Sequence, residues 1–188
     1  MNLFIDTSNG YLILILEKEN KVIDNIILAK QLRVSDIALE QIDNLLKRNN
    51  LSIKEINSIY ATKGPGSYTG VRVAITIAKT LKSIDSRYNI YLISSLAYQA
   101  GESDCISMLD AKGEKSYLGI YSKKSCVIAD QLLPNDYIDD FCSGFPNFIK
   151  KQDYQEMDFL NNYISLKDKF ELIEDIEKVE PFYIKHFI

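Results

Sequence analysis

Hydrophobic positions open the chain in three short blocks. Leu3-Phe4-Ile5 is brief and wholly apolar, Tyr11 to Leu16 is an unbroken run of β-formers, and Lys21 to Ala29 makes a third. Apolar runs of this length, bounded by turn residues, read as strands. Asn9-Gly10 and Glu19-Asn20 are the turns, so a β-meander is expected. A helical period follows from Ser35 to Arg48. Ser35 can cap its start, Lys47 and Arg48 suit its C-terminal dipole, and Asn49-Asn50 stops it. Ile56 to Thr62 predicts a strand, Val71 to Lys82 a second helix, and Ile90 to Ile93 a further strand.

The order β-β-β-α-β-α-β predicts an α/β fold, a mixed sheet with helices on its face. It is the order of one half of an actin-like, sugar-kinase-like fold. The second half repeats it in thinner form, with strands at Asp104–Leu109, Ser116–Ser122 and Cys126–Leu132 and a short helix opening at Pro134-Asn135-Asp136. Residues 144–162 have weak periodicity and yield no element. The charged tail from Asp168 reads as helix up to Pro181. Gly101-Glu102-Ser103 is the expected boundary between a lobe of residues 1–100 and a smaller one of 101–188.

Both early helices carry broad apolar arcs. Val71, Val73, Ala74, Ile75, Ile77, Ala78 and Leu81 span roughly 200° of one, and Val34, Ile37, Ala38, Leu39, Ile42, Leu45 and Leu46 span about as much of the other. One sheet face needs only about half that arc. The surplus is buried either where the helices pack on each other within the lobe, or against another chain. Ile37, Leu39, Ile42, Leu46, Val71 and Ile75 are the candidates for a partner interface.

Charge narrows the functional classes. A net charge of −4 over 188 residues, without a dense Lys/Arg cluster, is unlike a protein that grips nucleic acid alone. Cys105, Cys126 and Cys142 lie far apart without a CxxC pair, which fits a reducing compartment. The N-terminus lacks a signal-peptide pattern, and the Tyr11–Leu16 run is far shorter than the roughly 20 residues of a membrane helix, so a cytoplasmic protein with no membrane partner is expected. The single histidine, His186, offers neither a metal pair nor a base for a nucleophile, so no catalytic residue is assigned.

Gly64-Pro65-Gly66-Ser67-Tyr68-Thr69-Gly70 joins a strand to a helix. Its glycines permit close backbone approach, N–H groups at a helix start attract anions, and Ser67 or Thr69 can cap the helix. It is not a Walker A loop, since Val71-Arg72 follows Gly70, and its spacing is not GxGxxG. A structural turn and a contact with nucleotide or partner both remain open. Asp6-Thr7-Ser8 after the first strand is either an Asx-type turn or a vestigial nucleotide-type loop of the actin-like kind. Asp6 and Asp110 are weak candidates for a shared Mg²⁺.

Lys63-Gly-Pro-Gly-Ser-Tyr-Thr-Gly-Val-Arg72 resembles the G-P-G-S-[FY]-T-G-[LV]-R signature of the TsaB family, also called YeaZ. Asp6-Thr-Ser8, Ser94-Ser95-Leu96, Leu109-Asp-Ala-Lys112 with the later Tyr117, and Glu180-Pro-Phe-Tyr-Ile-Lys185 are similar to further family motifs. Val34 replaces a family histidine, and Lys112 and Lys185 stand where arginine is usual. The resemblance implies an ASKHA-type two-lobe fold with a reduced second lobe. It implies a non-catalytic subunit that pairs with TsaD, the enzyme that transfers threonylcarbamoyl to N6 of adenosine 37 of tRNA, and a further partner in the ATPase TsaE. ATP or ADP and a metal are then expected in TsaD and TsaE, no cofactor in this subunit, tRNA contact only within the complex, and a possible homodimer through the first-lobe helices. Two other classes stand beside it: an actin-like nucleotide hydrolase using Asp6, the glycine loop and Asp110, and a module that binds tRNA directly.

Overall fold

Strand β1 (Asn2–Asp6) lies inside a six-stranded sheet, antiparallel to β2 (Leu12–Lys18) and parallel to β4 (Ser58–Thr62). β3 (Lys21–Leu28) forms one edge, and β5 (Asn89–Ile93) pairs parallel with β4. This computed structural model describes residues 1–31, 33–182 and 184. Helices α1 (Val34–Arg48) and α2 (Tyr68–Ile84) cover one face of the sheet, and the short α3 (Ser95–Ala100) follows β5. A four-stranded sheet, ordered β8-β7-β6-β9, is built from β6 (Cys105–Asp110), β7 (Lys115–Ser122), β8 (Ser125–Pro134) and β9 (Ile149–Gln152). Helices α4 (Ile138–Cys142) and α5 (Phe159–Ser165) accompany it. The chain then returns, and β10 (Glu171–Leu172) pairs antiparallel with β5 at the far edge of the first sheet. This is the mixed α/β architecture expected of an ASKHA-type chain.

The pleat explains the opening pattern. Leu3, Ile5, Leu12, Leu14 and Leu16 enter the core under α1 and α2, whereas Phe4, Ile13 and Ile15 enter a second core on the other face. A sheet buried on both faces needs no polar alternation, which is why Leu12–Leu16 is unbroken. The second core joins the two sheets and is aromatic. The Phe4 ring lies 4.8 Å from Tyr98 and 4.9 Å from Tyr163, centroid to centroid. Burying each such ring contributes about 2 kcal/mol. A third, smaller core of Ile106, Met108, Leu118 and Ile120 lies beneath α4 and the phenylalanines that follow it.

Several local expectations are corrected. Ser35 does not cap α1. The helix begins one residue earlier, at Val34, which is buried in the first core, and no side chain caps it. The helix α3 and the strand β9 had no legible period, α3 because it is barely more than a turn and β9 because it reads Ile149-Lys-Lys-Gln152 at a sheet edge. The charged tail is not a helix. It forms 3-10 turns at Lys167–Lys169 and Ile176–Lys178 around β10, because Phe170 and Ile176 must reach opposite cores while residues 171–172 complete the sheet edge.

Candidate functional site

Two of the glycines in the loop after β4 are fixed by the turn after β1. A Cβ on Gly66 would meet the Ser8 carbonyl oxygen at 2.3 Å, and one on Gly70 would meet that of Thr7 at 2.0 Å. The backbones lie directly on each other, and only glycine permits it. Ser67 N–H donates to the Ser8 carbonyl at 2.7 Å, and the Thr7 hydroxyl donates to the Gly70 carbonyl at 2.6 Å. Of the two proposed caps for α2, Ser67 serves, accepting from Gly70 N–H at 3.4 Å. The helix therefore starts at Tyr68, three residues before Val71.

Asp6, Thr7 and Ser8 are sealed from solvent. One Asp6 carboxylate oxygen accepts from the Thr62 hydroxyl at 2.7 Å and from Ser8 N–H at 2.8 Å, and the other accepts from the Tyr154 hydroxyl at 2.7 Å. The Tyr154 hydroxyl also lies 3.0 Å from that of Ser8. Burial, and then the Asp6 charge, push the Tyr154 phenol well above its ordinary range. Tyr154 belongs to the second lobe, just beyond β9, so the far half of the chain plugs the turn of the near half. Sequence reasoning missed Tyr154 and Thr62; nothing in the weak periodicity of residues 144–162 marked the tyrosine.

Asp6 and Asp110 do not share an open site. Asp6 is fully buried with both oxygens engaged, whereas Asp110 is exposed and accepts from Lys112 through the backbone at 2.8 Å and the ammonium at 2.6 Å. Among the described residues no three His, Cys, Asp or Glu side chains gather where a metal ion could be held. His186 lies outside the described residues.

The outer side of the same loop is open. Four of the six interface candidates are corrected: Ile42, Leu46, Val71 and Ile75 are only 7, 4, 1 and 3% exposed, because the chain itself covers them. Most of each wide arc is filled within the lobe, where α1 also packs on α2 and on the second and third strands. Ile37 is half-buried and Leu39 is 67% exposed. Leu39 lines a groove of about 350 Å³ between α1 and α2 with Ala38, Tyr68, Arg72, Val73 and Ile77. Tyr68 is 53% exposed, and Arg72 holds it from one turn on, donating to its hydroxyl at 2.5 Å with the guanidinium 5.0 Å from the ring centre. The groove is thus an apolar strip with an aromatic–cation pair at the end where the signature loop enters α2.

Known proteins resemble this chain in sequence and in fold. The family profile TsaD, tRNA N6-adenosine threonylcarbamoyltransferase, matches residues 28–133. The tRNA threonylcarbamoyladenosine biosynthesis protein TsaB of Bacillus subtilis is 30% identical over 178 residues, spanning 93% of this chain and 75% of that protein. An uncharacterized Mycoplasma pneumoniae protein, the MG208 homolog, is 30% identical over 191 residues, 97% of this chain and 94% of that one. The solved structure of YeaZ from Pseudomonas aeruginosa superposes with a TM-score of 0.73 at 19% identity, over 97% of this chain and 98% of that one, and so has the same fold.

Proposed function

The chain belongs to the TsaB family, which serves tRNA threonylcarbamoyladenosine biosynthesis, and from that premise we propose that it is a non-catalytic subunit pairing with a TsaD-like threonylcarbamoyltransferase. The observation that carries this reading is the groove between α1 and α2. It sets a solvent-facing leucine beside a tyrosine and an arginine, the latter two of the types enriched among interface anchors, on two neighbouring helices. Ile37 and Leu39 on α1 and Tyr68 and Arg72 on α2 are the contacts. A second copy of the chain meets the same groove when no catalytic subunit is present.

The closed turn supports the same assignment. A nucleotide hydrolase of this architecture needs an acidic side chain open to a metal and phosphates, and Asp6 is spent on Thr62, Ser8 and Tyr154. We assign the chemistry, with its nucleotide and metal, to the TsaD-like partner and to a TsaE-like ATPase that joins it. The surplus of acidic over basic residues leaves tRNA contact to the assembled complex. No helix among the described residues is long and apolar enough to cross a membrane, and we place the protein in the cytoplasm with the tRNA that the complex modifies.

Co-purification from the native cell, followed by titration against the recovered TsaD-like protein, tests the reading. The expected result is a stable pair that modifies tRNA once the ATPase and threonylcarbamoyl adenylate, the group's donor, are added, and no Mg-ATP hydrolysis or salt-sensitive tRNA binding by the isolated chain. Modification of tRNA by the isolated chain would overturn it.

A further inference from the structure

A second cavity opens between the lobes, away from the groove on α1 and α2. It measures about 380 Å³ and lies where the parallel strands β4 and β5 end, facing β8. Open α/β sheets hold ligands at the carboxyl ends of their strands. Its floor is polar. Asp130 on β8 receives a hydrogen bond from the Ser94 hydroxyl at one carboxylate oxygen and from the Tyr121 hydroxyl at the other. Lys63 and Lys169 stand at the rim, and Leu166 contributes to an apolar wall.

The floor is built at a cost to the second sheet. The β7–β8 pairing shifts register between Leu118 and Ile120, and a Cβ on Gly119 would come within 2.4 Å of the Asp130 carboxylate. Glycine inside a strand gives up packing and weakens it, and a bulge re-aims a side chain. Here the two together let a carboxylate lie across β7 and reach Ser94 in the other lobe. The role proposed above makes no use of this arrangement.

What the floor presents is acceptor capacity. Ser94 and Tyr121 have one proton each, and both are used on Asp130. A wholly apolar ligand would take solvent from the carboxylate without supplying a countercharge, at a cost, and an anion would be repelled by it. The rest of the lining is of mixed charge with a basic surplus, Lys63, Lys124 and Lys169 against Glu171. Lys63 is paired with Glu171 at 2.9 Å, while Lys169 is exposed and reaches Asp168 at a loose 3.8 Å. Burial raises the Asp130 carboxyl above its ordinary range, with the two hydroxyls and the Lys63 charge acting in the opposite direction. A cation placed beside it would add to their effect.

We propose that this cleft binds a small zwitterion, a free α-amino acid, with its ammonium on Asp130, its carboxylate toward Lys63 and Lys169, and its side chain against Leu166. The site is independent of the partner groove, so it is tested on the isolated chain. Calorimetric titration with the common L-amino acids at millimolar concentration should find at least one that binds. Its N-acetyl derivative and the corresponding amine without a carboxylate should each bind about tenfold weaker or worse. Asp130→Asn should lower affinity by about tenfold. Because that change touches both lobes, Lys169→Ala, at an exposed position, provides the second reading, with a loss of about threefold at an unchanged unfolding midpoint. Absence of binding by every amino acid, equal binding of the N-acetyl form, or wild-type affinity in Lys169→Ala together with a folded Asp130→Asn would each overturn the proposal.

Discussion

The signature loop has two sides, and they differ in nearly every physical respect. Its inner side lies on the β1–β2 turn, with backbone against backbone at Gly66 and Gly70 and the Asp6 carboxylate held by three donors. Its outer side carries Tyr68 and Arg72 into an open groove beside Leu39. One unbroken motif therefore divides by face. The residues that look in fix the loop against the β1–β2 turn, and those that look out line the groove between α1 and α2. A motif that resembles a phosphate loop in composition has here become a clasp.

Substitutions on the two sides should separate cleanly. The largest effect belongs to Gly70→Ala, whose methyl would collide with the backbone of Thr7, where no flexible side chain can give way. We expect a loss of about 3 kcal/mol or more in denaturant unfolding, or no folded protein. A stable Gly70→Ala protein would show that the turn is not fixed by the loop. Asp6→Ala comes next. It strands the hydroxyl of Thr62 and the N–H of Ser8 and leaves Tyr154 with the Ser8 hydroxyl alone, at about 2–3 kcal/mol. Here too urea titration is the measure.

Leu39→Asp should do the reverse, leaving unfolding within about 0.5 kcal/mol of wild type. It should weaken the TsaD-like partner by about 2 kcal/mol, roughly thirtyfold, in a binding titration. Equal affinity would remove the groove from the interface and break the contrast.

A smaller test uses Glu17, the other fully buried carboxylate of the same hairpin, which has a countercharge where Asp6 has only hydroxyls and an amide. Burial alone would raise its pKa. The hydrogen bonds from Lys167 at 2.8 Å, Asn2 at 2.7 Å and Asn20 N–H at 2.5 Å outweigh that and hold it below 4.5. A carboxylate lowered on folding stabilises fully above its unfolded pKa and loses that contribution as pH falls through the folded one. Stability should therefore decline as pH drops below about 4.5, and Glu17→Gln should flatten this acid limb in unfolding curves taken at several pH values. Arg72→Ala is expected to have the smallest effect, about 0.5 kcal/mol on stability, since its stacking on Tyr68 is exposed.

Legibility followed the same division between local pattern and long-range contact. The strands β1, β2 and β3 and the helices α1 and α2 were readable because each carries enough apolar periodicity to declare itself. The width of the helical arcs was also readable, but not its destination. The positions around the arc identify Ile42 and Ile75 as apolar, while only the packed lobe shows that both are covered and that Leu39 is not. The charges of the tail suit a helix, whereas its true constraint is the need of Phe170 and Ile176 to reach separate cores.

The sequence by itself determined the element order of the first lobe as far as β5, the signature from Lys63 to Arg72, and with these the family and its fold. These follow from contacts between near neighbours and from residue identities in an unbroken string, which one dimension preserves. Only the tertiary structure decided that Tyr154 plugs the Asp6 turn, that Gly119 makes room for Asp130, and that most of the apolar surface on α1 and α2 is already covered. The physical reason is sequence distance. Tyr154 and Asp6 are 148 residues apart, and no local preference records which distant side chain will satisfy a buried carboxylate; only chain packing settles that.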